Sequence, residues 1–310
     1  MSVKNKKDSC QAILRVTRPV KLLEFLYESF SDRSRKSVKS LLEQNQIMIR
    51  NQIVTRFDYR LESGMDVIVL KKKASQNTAL RKMNILYEDE HLIVIEKSSG
   101  LLSVATEKEN GETAFSILQS YVKKTNHKAR LYIVHRLDRD TSGVMMFSKS
   151  KEIQQKLQDN WDEVVTKRIY YAAVEGNFKN AEGEIVSCLK ENKSLKVYSS
   201  KIPGDGQKAI TRYRVLKSNS RYSLLEVELE TGRKNQIRVH LHDIGHNIAG
   251  DKKYGAVTDP LRRLALHAGI LEFSHPITGE CMHFETPVPA ILDKLFTGFG
   301  EVCPSLIKSP

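Results

Sequence analysis

The chain has 310 residues, and its 50 Lys and Arg against 37 Asp and Glu give a formal charge of +13 and a pI near 9.4. The hydrophobic fraction of 40% is ordinary for a globular protein of one large domain or two smaller ones, and no apolar run approaches the length of about 18 residues that a membrane span needs. The basic excess favours a polyanionic partner, most simply nucleic acid, because basic surfaces attract phosphate.

The cysteines and the first residues indicate the compartment. Cys10, Cys188, Cys281 and Cys303 are far apart and form no CxxC pair, which argues against a zinc ribbon and against a disulfide framework. The opening residues, MSVKNKKDSCQ, lack the apolar stretch of a signal peptide. We therefore expect a cytoplasmic protein.

The first predicted domain covers residues 1–72. Residues 22–26 have helical spacing, and Ser31 and Asp32 are expected to cap a second helix. In that second helix, the apolar residues Val38, Leu41 and Leu42 are expected to form a buried stripe.

A hairpin and one more strand complete this domain. Two short apolar runs, 47–49 and 52–54, flank Arg50-Asn51, and Asn tolerates positive φ, so a tight turn is predicted there. Residues 66–70 are predicted as the last strand, which gives the order helix, helix, hairpin, strand. Residues 73–82 are polar, basic and unpatterned, which is typical of a linker.

The second predicted domain covers residues 83–297, with 298–310 as a C-terminal tail. Strands dominate, and helices lie among them without a regular βαβ rhythm, which argues for an α+β fold rather than a doubly wound sheet. Helices are predicted at 113–123 and 153–160. Strands are predicted at 131–134, 144–147, 168–174, 211–215, 222–229 and 235–240.

The segment LYIVHRLDRDTSGVMMFSKS, residues 131–150, places charged residues between two apolar strands. Asp138 lies where the first strand gives way to a turn, a place where a rigid scaffold can present a side chain to solvent. Arg136, two residues earlier, shares its face if the strand persists. A carboxylate paired with a cation stays ionised, which suits a nucleophile. From these residues alone, a plain hairpin turn is the alternative.

A second charged segment is ELETGRKNQIRVHLHDIGHNIAGDKKYG, residues 228–255. If residues 235–240 form a strand, Gln236, Arg238 and His240 share one face, and Ile237 and Val239 face the core. A polar face that carries a guanidinium suits a phosphate or carboxylate site. The solvated face of an edge strand explains the same pattern equally well.

Metal and nucleotide cofactors find no support in the sequence. His240, His242 and His246 lack a carboxylate pair or a cysteine to complete a ligand set, so we expect no metal. The glycines form neither GxGxxG nor GxxxxGK[ST], so no nucleotide cofactor is expected.

The segment TKRIYYAAVEG, residues 166–176, carries two adjacent tyrosines on a predicted strand. Tyr170 and Tyr171 therefore point to opposite faces. One is expected to pack inside, and the other offers a ring on which an unstacked base can lie. Two half-buried strand tyrosines are the simpler alternative.

Together these residues resemble the RluA-type RNA pseudouridine synthases. HRLDRDTSG, residues 135–143, resembles the family signature HRLDxxTSG, and KRIYYAAVEG and TGRKNQIRVHLHDIGHNIAGDKKYG resemble later family blocks in the same order. The resemblance covers about residues 83–290. It implies a catalytic domain with a mixed, mainly antiparallel sheet. Residues 15–70 resemble an S4-like (αL) RNA-binding domain, which often precedes this catalytic domain.

The resemblance implies isomerisation of uridine to pseudouridine within RNA, without a cofactor. Asp138 would be the essential carboxylate, Arg238 its ion-pair partner, and Tyr170 the ring that stacks on the base. Arg136 would fill the space that the flipped uridine leaves. RNA contacts are expected from Arg136, Thr141, Arg233 and Gln236 in the catalytic domain and from Arg33, Arg35, Lys36 and Lys39 on the basic second helix of the S4-like domain.

Three positions depart from the family pattern. Asn235 stands where the family usually has His, Ser99 stands where Pro is usual, and the first-domain hairpin reads IRNQIV where Val-Asn-Gly is usual. Because Asp138 and Arg238 are intact, these changes are expected to affect RNA contacts more than chemistry.

Two other functions were weighed against this one. A non-catalytic RNA-binding factor built on a retired synthase is disfavoured because the three expected catalytic residues are present. A metal-dependent hydrolase that uses the three histidines is the second alternative. The expected partner is RNA, with large-subunit ribosomal RNA favoured, and the expected protein is a monomer that binds no metal and no membrane.

Overall fold

The computed structural model describes residues 10–43, 46–49, 52–54, 56–70, 82–105, 111–200, 202 and 204–297. The chain divides into two compact units, residues 1–81 and residues 82–310. The expected linker and the expected C-terminal tail lie outside the described residues, apart from Lys82. None of the helices in the described ranges is long and apolar enough to cross a membrane.

The first unit combines two helices with a small antiparallel sheet. In chain order its elements are β1 Cys10–Arg15, β2 Val20–Lys21, α1 Leu22–Ser29, α2 Arg35–Glu43, β3 Ile47–Ile49, β4 Gln52–Ile53, β5 Arg60–Leu61 and β6 Asp66–Leu70. The strands pair in the order β1-β6-β3-β4, and β2 pairs with β5.

The predicted order of helix, helix, hairpin and strand is present in this unit, although the turn at Arg50-Asn51 lies outside the described residues. Val38, Leu41 and Leu42 are buried, as expected from their spacing. The expected cap is wrong. α2 begins after Ser34, whose hydroxyl accepts a hydrogen bond from the backbone N–H of Ser37 at 3.2 Å, so the capping function falls to a serine closer to the helix.

The second unit is built on one large sheet with helices packed against it. Its elements are β7 Met83–Glu88, β8 Leu92–Lys97, α3 Ala114–Thr125, β9 Tyr132–Ile133, β10 Ser142–Ser148, α4 Lys151–Asp159, α5 Trp161–Val164, β11 Val165–Glu175, β12 Glu182–Glu191, β13 Val197–Ser200, β14 Gln207–Ser218, β15 Tyr222–Leu229, α6 Gln236–Asp243, β16 Leu266–Ser274, β17 Cys281–Glu285 and α7 Ala290–Asp293, with a short 3-10 helix at Lys252–Tyr254.

The sheet runs β13-β12-β14-β15-β11-β16-β10-β8-β7, with β17 paired to β16 and β9 paired to β10. Every pairing is antiparallel except the short junction of β10 with β16, where Ser142 pairs with His267 and Gly143 with Ala268. The prediction of an α+β fold with a mainly antiparallel sheet is confirmed.

One predicted strand is wrong. Residues 235–240 do not form a strand, because Gln236–Asp243 is the helix α6. Ile237, Val239 and Leu241 alternate with polar residues, but Gln236 and His240 are buried as well. In a helix that is buried on most sides, the apolar residues need not recur every 3.6 residues. The apolar residues of α6 alternate by chance with a period of two, and this alternation led to the wrong prediction of a strand.

The sheet and α6 enclose a core that positions the functional region. Leu225 on β15 and Ala172 on β11 are buried in one cluster with Ile237 and Leu241 of α6. α6 is thus packed on the part of the sheet formed by β12, β13 and β14, and its apolar residues join the core with β11 and β15.

Candidate active site

Asp138 lies in the loop between β9 and β10. β9 ends at Ile133, before Arg136 and Asp138. The two side chains therefore do not share one face of a strand, as they would if β9 continued. The loop is instead held by hydrogen bonds from Ser103, which lies earlier in the chain. Ser103 Oγ donates to the carbonyl of Leu137 at 2.7 Å and accepts from the backbone N–H of the same residue at 3.2 Å. Asp138 is thereby presented with about a third of its side chain, 35%, exposed.

Lys97 fixes the same loop from beneath. Its side chain is fully buried, and its Nζ donates to the carbonyl oxygens of Ser98 at 3.1 Å, Leu101 at 2.7 Å and Arg139 at 3.0 Å. Burial lowers the pKa of Lys97 to about 8, against the opposing charges of Asp140 and Asp138. The lysine therefore joins two loops that are far apart in sequence.

Arg238 joins two carboxylates. Its Nε and Nη2 donate to both oxygens of Asp251 at 2.7 Å, and its Nη1 donates to Asp138 Oδ2 at the longer distance of 3.3 Å. Burial alone lowers the pKa of Arg238, but the hydrogen bonds and charge of Asp251, together with Asp138, outweigh it and raise that pKa. The guanidinium is thus oriented by Asp251 and offered to Asp138.

A cavity of about 510 Å³ opens in front of Asp138 and Arg238. That volume is typical of a small-molecule site. Leu137, Leu229, Ile237 and Leu266 supply apolar lining. The expected site residues of this unit all border it, and they are Arg136, Asp138, Thr141, Tyr170, Arg233, Gln236 and Arg238.

Tyr170 reaches this cavity from β11, and Tyr171 is buried against the other face of the sheet, where its ring lies against Gly269. Burial raises the pKa of Tyr170 to about 12, with Arg168 opposing and Asp138 reinforcing that shift. The hydroxyl of Tyr170 is therefore protonated at neutral pH, and its ring forms part of the cavity wall.

The expected RNA contacts of this unit differ in how accessible they are. Arg136 and Arg233 are exposed at the cavity, whereas Thr141 and Gln236 are buried. The side-chain amide of Gln236 is fully used within the protein: its nitrogen donates to Ile210 O and Thr211 Oγ1, and its oxygen accepts from Thr231 Oγ1 and the N–H of Arg233. Gln236 thus holds the loop that carries Arg233.

The basic residues of the first unit lie at and before α2. Arg35, Lys36 and Lys39 are exposed on the helix, and Arg33 precedes it. The guanidinium carbons of Arg33 and Arg35 lie 4.7 and 5.6 Å from the ring centres of Phe30 and Tyr27. Such cation–π contacts orient the two guanidinium groups and leave their hydrogen-bond donors available.

The three histidines tested as metal ligands point to different partners. His240 hydrogen-bonds to Ser187 and Thr211, His242 to Asn247, and His246 to the carbonyl of Glu175. Within the described ranges, no group of three or more His, Cys, Asp or Glu side chains could hold a metal ion.

Several residues at the site were not assigned a role from the sequence. Asp251 is the most important, because it makes the two shortest contacts to Arg238 and also caps the 3-10 helix through the N–H of Tyr254. Asn235 has φ 55°, and its side chain accepts from Arg238 at 3.3 Å and donates to the hydroxyl of Tyr254 at 3.2 Å. Asn235, which stands where the family usually has His, therefore lies beside Arg238. From the sequence we expected this change to affect RNA contacts, but it is next to the residues expected to carry the chemistry.

Comparisons with known proteins agree with this geometry. The family described as RNA pseudouridylate synthase matches residues 91–243. An uncharacterized RNA pseudouridine synthase of Bacillus subtilis, YhcT, is 32% identical over 84% of this chain and 88% of its own length. The ribosomal large subunit pseudouridine synthase D of Nitrosomonas europaea is 34% identical over 74% of this chain and 68% of its own length.

A solved structure shows the same fold. The human RNA pseudouridylate synthase domain containing 4 matches with a TM-score of 0.56 and 26% identity, over 68% of this chain and 90% of that one. Sequence similarity, fold and the cavity around Asp138 thus point in one direction, and the chain belongs to the RNA pseudouridylate synthase family, whose members are isomerases that form pseudouridine in RNA.

Proposed function

We propose that this enzyme converts specific uridines of large-subunit ribosomal RNA to pseudouridine, with Asp138 as the catalytic carboxylate. The observation that carries the proposal is the contact of Arg238 with Asp138 at 3.3 Å at the wall of a cavity large enough for a nucleoside. The choice of ribosomal RNA is supported by the relative from Nitrosomonas europaea, which is named a ribosomal large subunit pseudouridine synthase.

The reaction conserves every atom of the nucleotide. The bond between N1 of the base and C1′ of the sugar breaks, C5 bonds to C1′, the proton on C5 leaves and N1 gains a proton. The balance contains no oxidant, reductant or phosphoryl donor, so we propose that no cofactor takes part. Asp138 has three possible roles, namely attack on C1′, attack on C6 and removal of a sugar proton, and each requires an ionised carboxylate.

The cavity residues divide this work. Arg238, held by Asp251, places a positive charge against the carboxylate of Asp138. Tyr170 presents its ring to the base, and its hydroxyl enters the reaction protonated because the pKa is about 12. The apolar wall residues, Leu137 and Leu266 among them, exclude water from the base.

A uridine stacked in RNA cannot reach Asp138, so it must flip out at a cost of about a few kcal/mol. Arg136 is exposed at the cavity edge, which suits a side chain that fills the vacated space. The first unit, proposed as an S4-like domain, adds affinity for the backbone, since residues 1–81 contain more than twice as many Lys and Arg as Asp and Glu.

Asp138→Asn tests the assignment of the carboxylate. We expect tritium release from RNA labelled at C5 of uridine to fall to background, while RNA affinity in a gel-shift assay is retained. Asp140→Asn is the matched control, because Asp140 is exposed to a similar degree in the same loop and pairs with Arg139 at 3.4 Å. Near-normal turnover of Asp138→Asn would overturn the assignment.

The choice of RNA has its own test. Pseudouridine is mapped in total RNA from cells with and without the gene, and the expected result is the loss of sites in large-subunit ribosomal RNA only. Loss of sites in transfer RNA alone would overturn the ribosomal assignment and leave the chemistry untouched.

A further inference from the structure

A second cleft adjoins the catalytic cavity. Its volume is about 580 Å³, and its walls are formed by residues 99–100, 139–140, 250–253 and 259–264. Arg238 lines both this cleft and the catalytic cavity. A polynucleotide that places one nucleoside in the catalytic cavity therefore brings its neighbouring backbone to this cleft.

Arg263 is the cation at the base of this cleft. Its Nε donates to Leu264 O at 2.9 Å, and its Nη2 donates to Ser142 Oγ and Leu266 O at 3.0 Å. Among the described residues, Nη1 has no hydrogen-bond acceptor and no carboxylate lies within 4.0 Å of the guanidinium. Burial lowers the pKa of Arg263, although the charge of Asp140 opposes this. A half-buried guanidinium held by neutral oxygens retains a strong preference for an anion.

Two more cations at the cleft lack a carboxylate partner within the described part of the chain. Arg262 is exposed, and its φ of 53° is uncommon for a bulky residue. Lys253 Nζ reaches only the carbonyl of Leu195, at 3.4 Å, and the ring of Tyr254. Burial and the nearby charges of Arg238 and Lys234 lower the pKa of Lys253. Cations that repel one another in this way are stabilised by a bound anion.

The acidic residues of the cleft are already matched. Asp140 pairs with Arg139 at 3.4 Å, Asp251 with Arg238 at 2.7 Å, and Asp259 with Lys252 at 3.0 Å. Three carboxylates are thus balanced by three cations, and the charges of Lys253, Arg262 and Arg263 remain as a surplus.

We propose that this cleft binds the backbone phosphate next to the target uridine, with Arg262, Arg263 and Lys253 as its ligands. The inference rests on the proposed function, because it assumes that the catalytic cavity holds a nucleotide of an RNA strand. Guanidinium groups match the paired oxygens of a phosphate, and contacts to phosphate fix the register of a strand without reading its sequence. The cleft therefore holds the strand while the uridine lies against Asp138.

The test is a cycle that combines a protein change with a chemical change in the RNA. The probe is the five-nucleotide RNA AAUAA, either unmodified or with neutral methylphosphonates in place of the two phosphates that flank the uridine. The proteins are wild type, the double variant Arg262→Ala/Lys253→Ala, and Lys123→Ala. Lys123 is an exposed lysine at the end of α3 and does not line the cleft, so it controls for loss of charge. Arg263 is left unchanged because it also supports the fold.

Binding is measured by fluorescence anisotropy over a series of salt concentrations. Wild type and Lys123→Ala should lose affinity when the two phosphates are neutralised, whereas the double variant, which keeps only Arg263 of the three proposed ligands, should lose clearly less. Its plot of log affinity against log salt should be shallower than that of wild type by up to about 0.7, the contribution of one phosphate contact in a single strand. An equal penalty for neutral linkages in wild type and in the double variant would overturn the proposal.

Tritium release from unmodified large-subunit ribosomal RNA separates this inference from the proposed function. For the double variant, KM should rise with kcat unchanged, because the cleft contacts the strand and not the reacting atoms. If the wild type releases no tritium from any RNA, the proposed function fails, while the binding cycle still decides whether the cleft holds phosphate.

Discussion

Arg238 is placed between two carboxylates that have different functions. Asp251 is almost completely buried and holds the guanidinium through two hydrogen bonds of 2.7 Å, whereas Asp138 is partly exposed and receives one contact of 3.3 Å. The tight pair therefore sets the orientation of Arg238, and the looser pair leaves Asp138 available for the catalytic role that we propose. Without Asp251, the guanidinium of Arg238 would be expected to turn toward Asp138 and form a tight ion pair with its carboxylate.

Asp251→Asn tests this division. The change removes the charge that balances a buried guanidinium, and loss of one partner of a buried pair costs about 3–5 kcal/mol of unfolding free energy, less here because Asp138 remains. We expect lower stability in urea unfolding and a fall in kcat of about 100-fold, since misplacement of a catalytic group by about 1 Å has that effect.

Asp66→Asn is the matched control for that prediction. Asp66 also pairs with an arginine at 2.8 Å, but both side chains of that pair are largely exposed. This variant should unfold like the wild type, because exposed pairs contribute little. Full activity of Asp251→Asn would show that Arg238 needs no second carboxylate.

The sequence allowed Asp138 and Arg238 to be predicted as site residues, but not Asp251. Asp138 and Arg238 were found because each lies in a family motif, and their 100-residue separation did not matter. Asp251 was quoted within such a motif but given no role, because nothing local distinguishes a carboxylate that orients an arginine from one that caps a turn. Asp251 does both.

Among the elements, the junction of β10 with β16 is the most restrictive. It is the parallel pairing within the sheet, and Gly143 there has φ +120°. A Cβ at Gly143 would lie 2.1 Å from the carbonyl oxygen of Ala268, a backbone atom that cannot move aside without shifting β16. The glycine that ends the HRLDRDTSG segment therefore permits the close approach of two strands.

Gly143→Ala should thus destabilise the second unit by about several kcal/mol, because it adds both strain and a clash to a buried strand. The measurement is urea unfolding followed by circular dichroism. Gly111→Ala serves as the control, since nothing lies within 4 Å of a Cβ at that position. Equal unfolding midpoints for the two variants would contradict this explanation.

Prediction of the elements succeeded for strands with many apolar residues and failed for α6, in which polar residues are buried. Tyr222–Leu229 was predicted with its observed bounds, whereas α6 was taken for a strand. In α6, Gln236 and His240 lie one helical turn apart and both hydrogen-bond to Thr211, while Arg238 points to the catalytic cavity. Two buried polar residues fixed by a neighbouring strand are a tertiary feature, and no local pattern reveals them.

At the scale of the whole molecule, each unit has its own hydrophobic core. Val38, Leu41 and Leu42 belong to a cluster within residues 1–81, and the core around Leu225 lies within the second unit. We therefore expect a fragment of residues 82–310 to fold by itself. Its unfolding midpoint should equal the midpoint that the same unit shows within the full chain.

Deletion of residues 1–81 should nevertheless weaken RNA binding and make its salt dependence shallower, because many basic residues are removed. The measurement is a gel-shift series at several salt concentrations. The control is the full chain in which Arg33, Arg35, Lys36 and Lys39 are changed to Ala, and it should reproduce most of the loss. Unchanged affinity of the shortened chain would rule out RNA binding by the first unit.

Stability should also fall in mild acid because of three histidines with lowered pKa values. Burial lowers the pKa of His240 and His267 to about 4 and that of His135 to about 3, against an ordinary value of 6.5. Between those values the unfolded chain binds protons that the folded chain does not, so the unfolding free energy is unaffected above about pH 6.5 and decreases as the pH falls toward 4.

His240→Gln removes one of these three groups. The slope of unfolding free energy with pH should decrease by about 1.4 kcal/mol per pH unit between pH 6 and pH 4.5. Urea unfolding at several pH values measures it, with the exposed His127→Gln as the control. A slope equal to that of the wild type would contradict the assignment of His240.

The position of β16 has a consequence for how the protein is made. Although it is formed by residues 266–274, this strand lies between β10 and β11, which the ribosome completes about a hundred residues earlier. Until it is translated, the emerging polypeptide holds two separate half-sheets with open hydrogen-bonding edges, one carrying Asp138 and the other Tyr170 and Arg238. A nascent chain cannot assemble the reaction centre proposed here, so we expect newly made protein to be inactive until its synthesis is nearly finished.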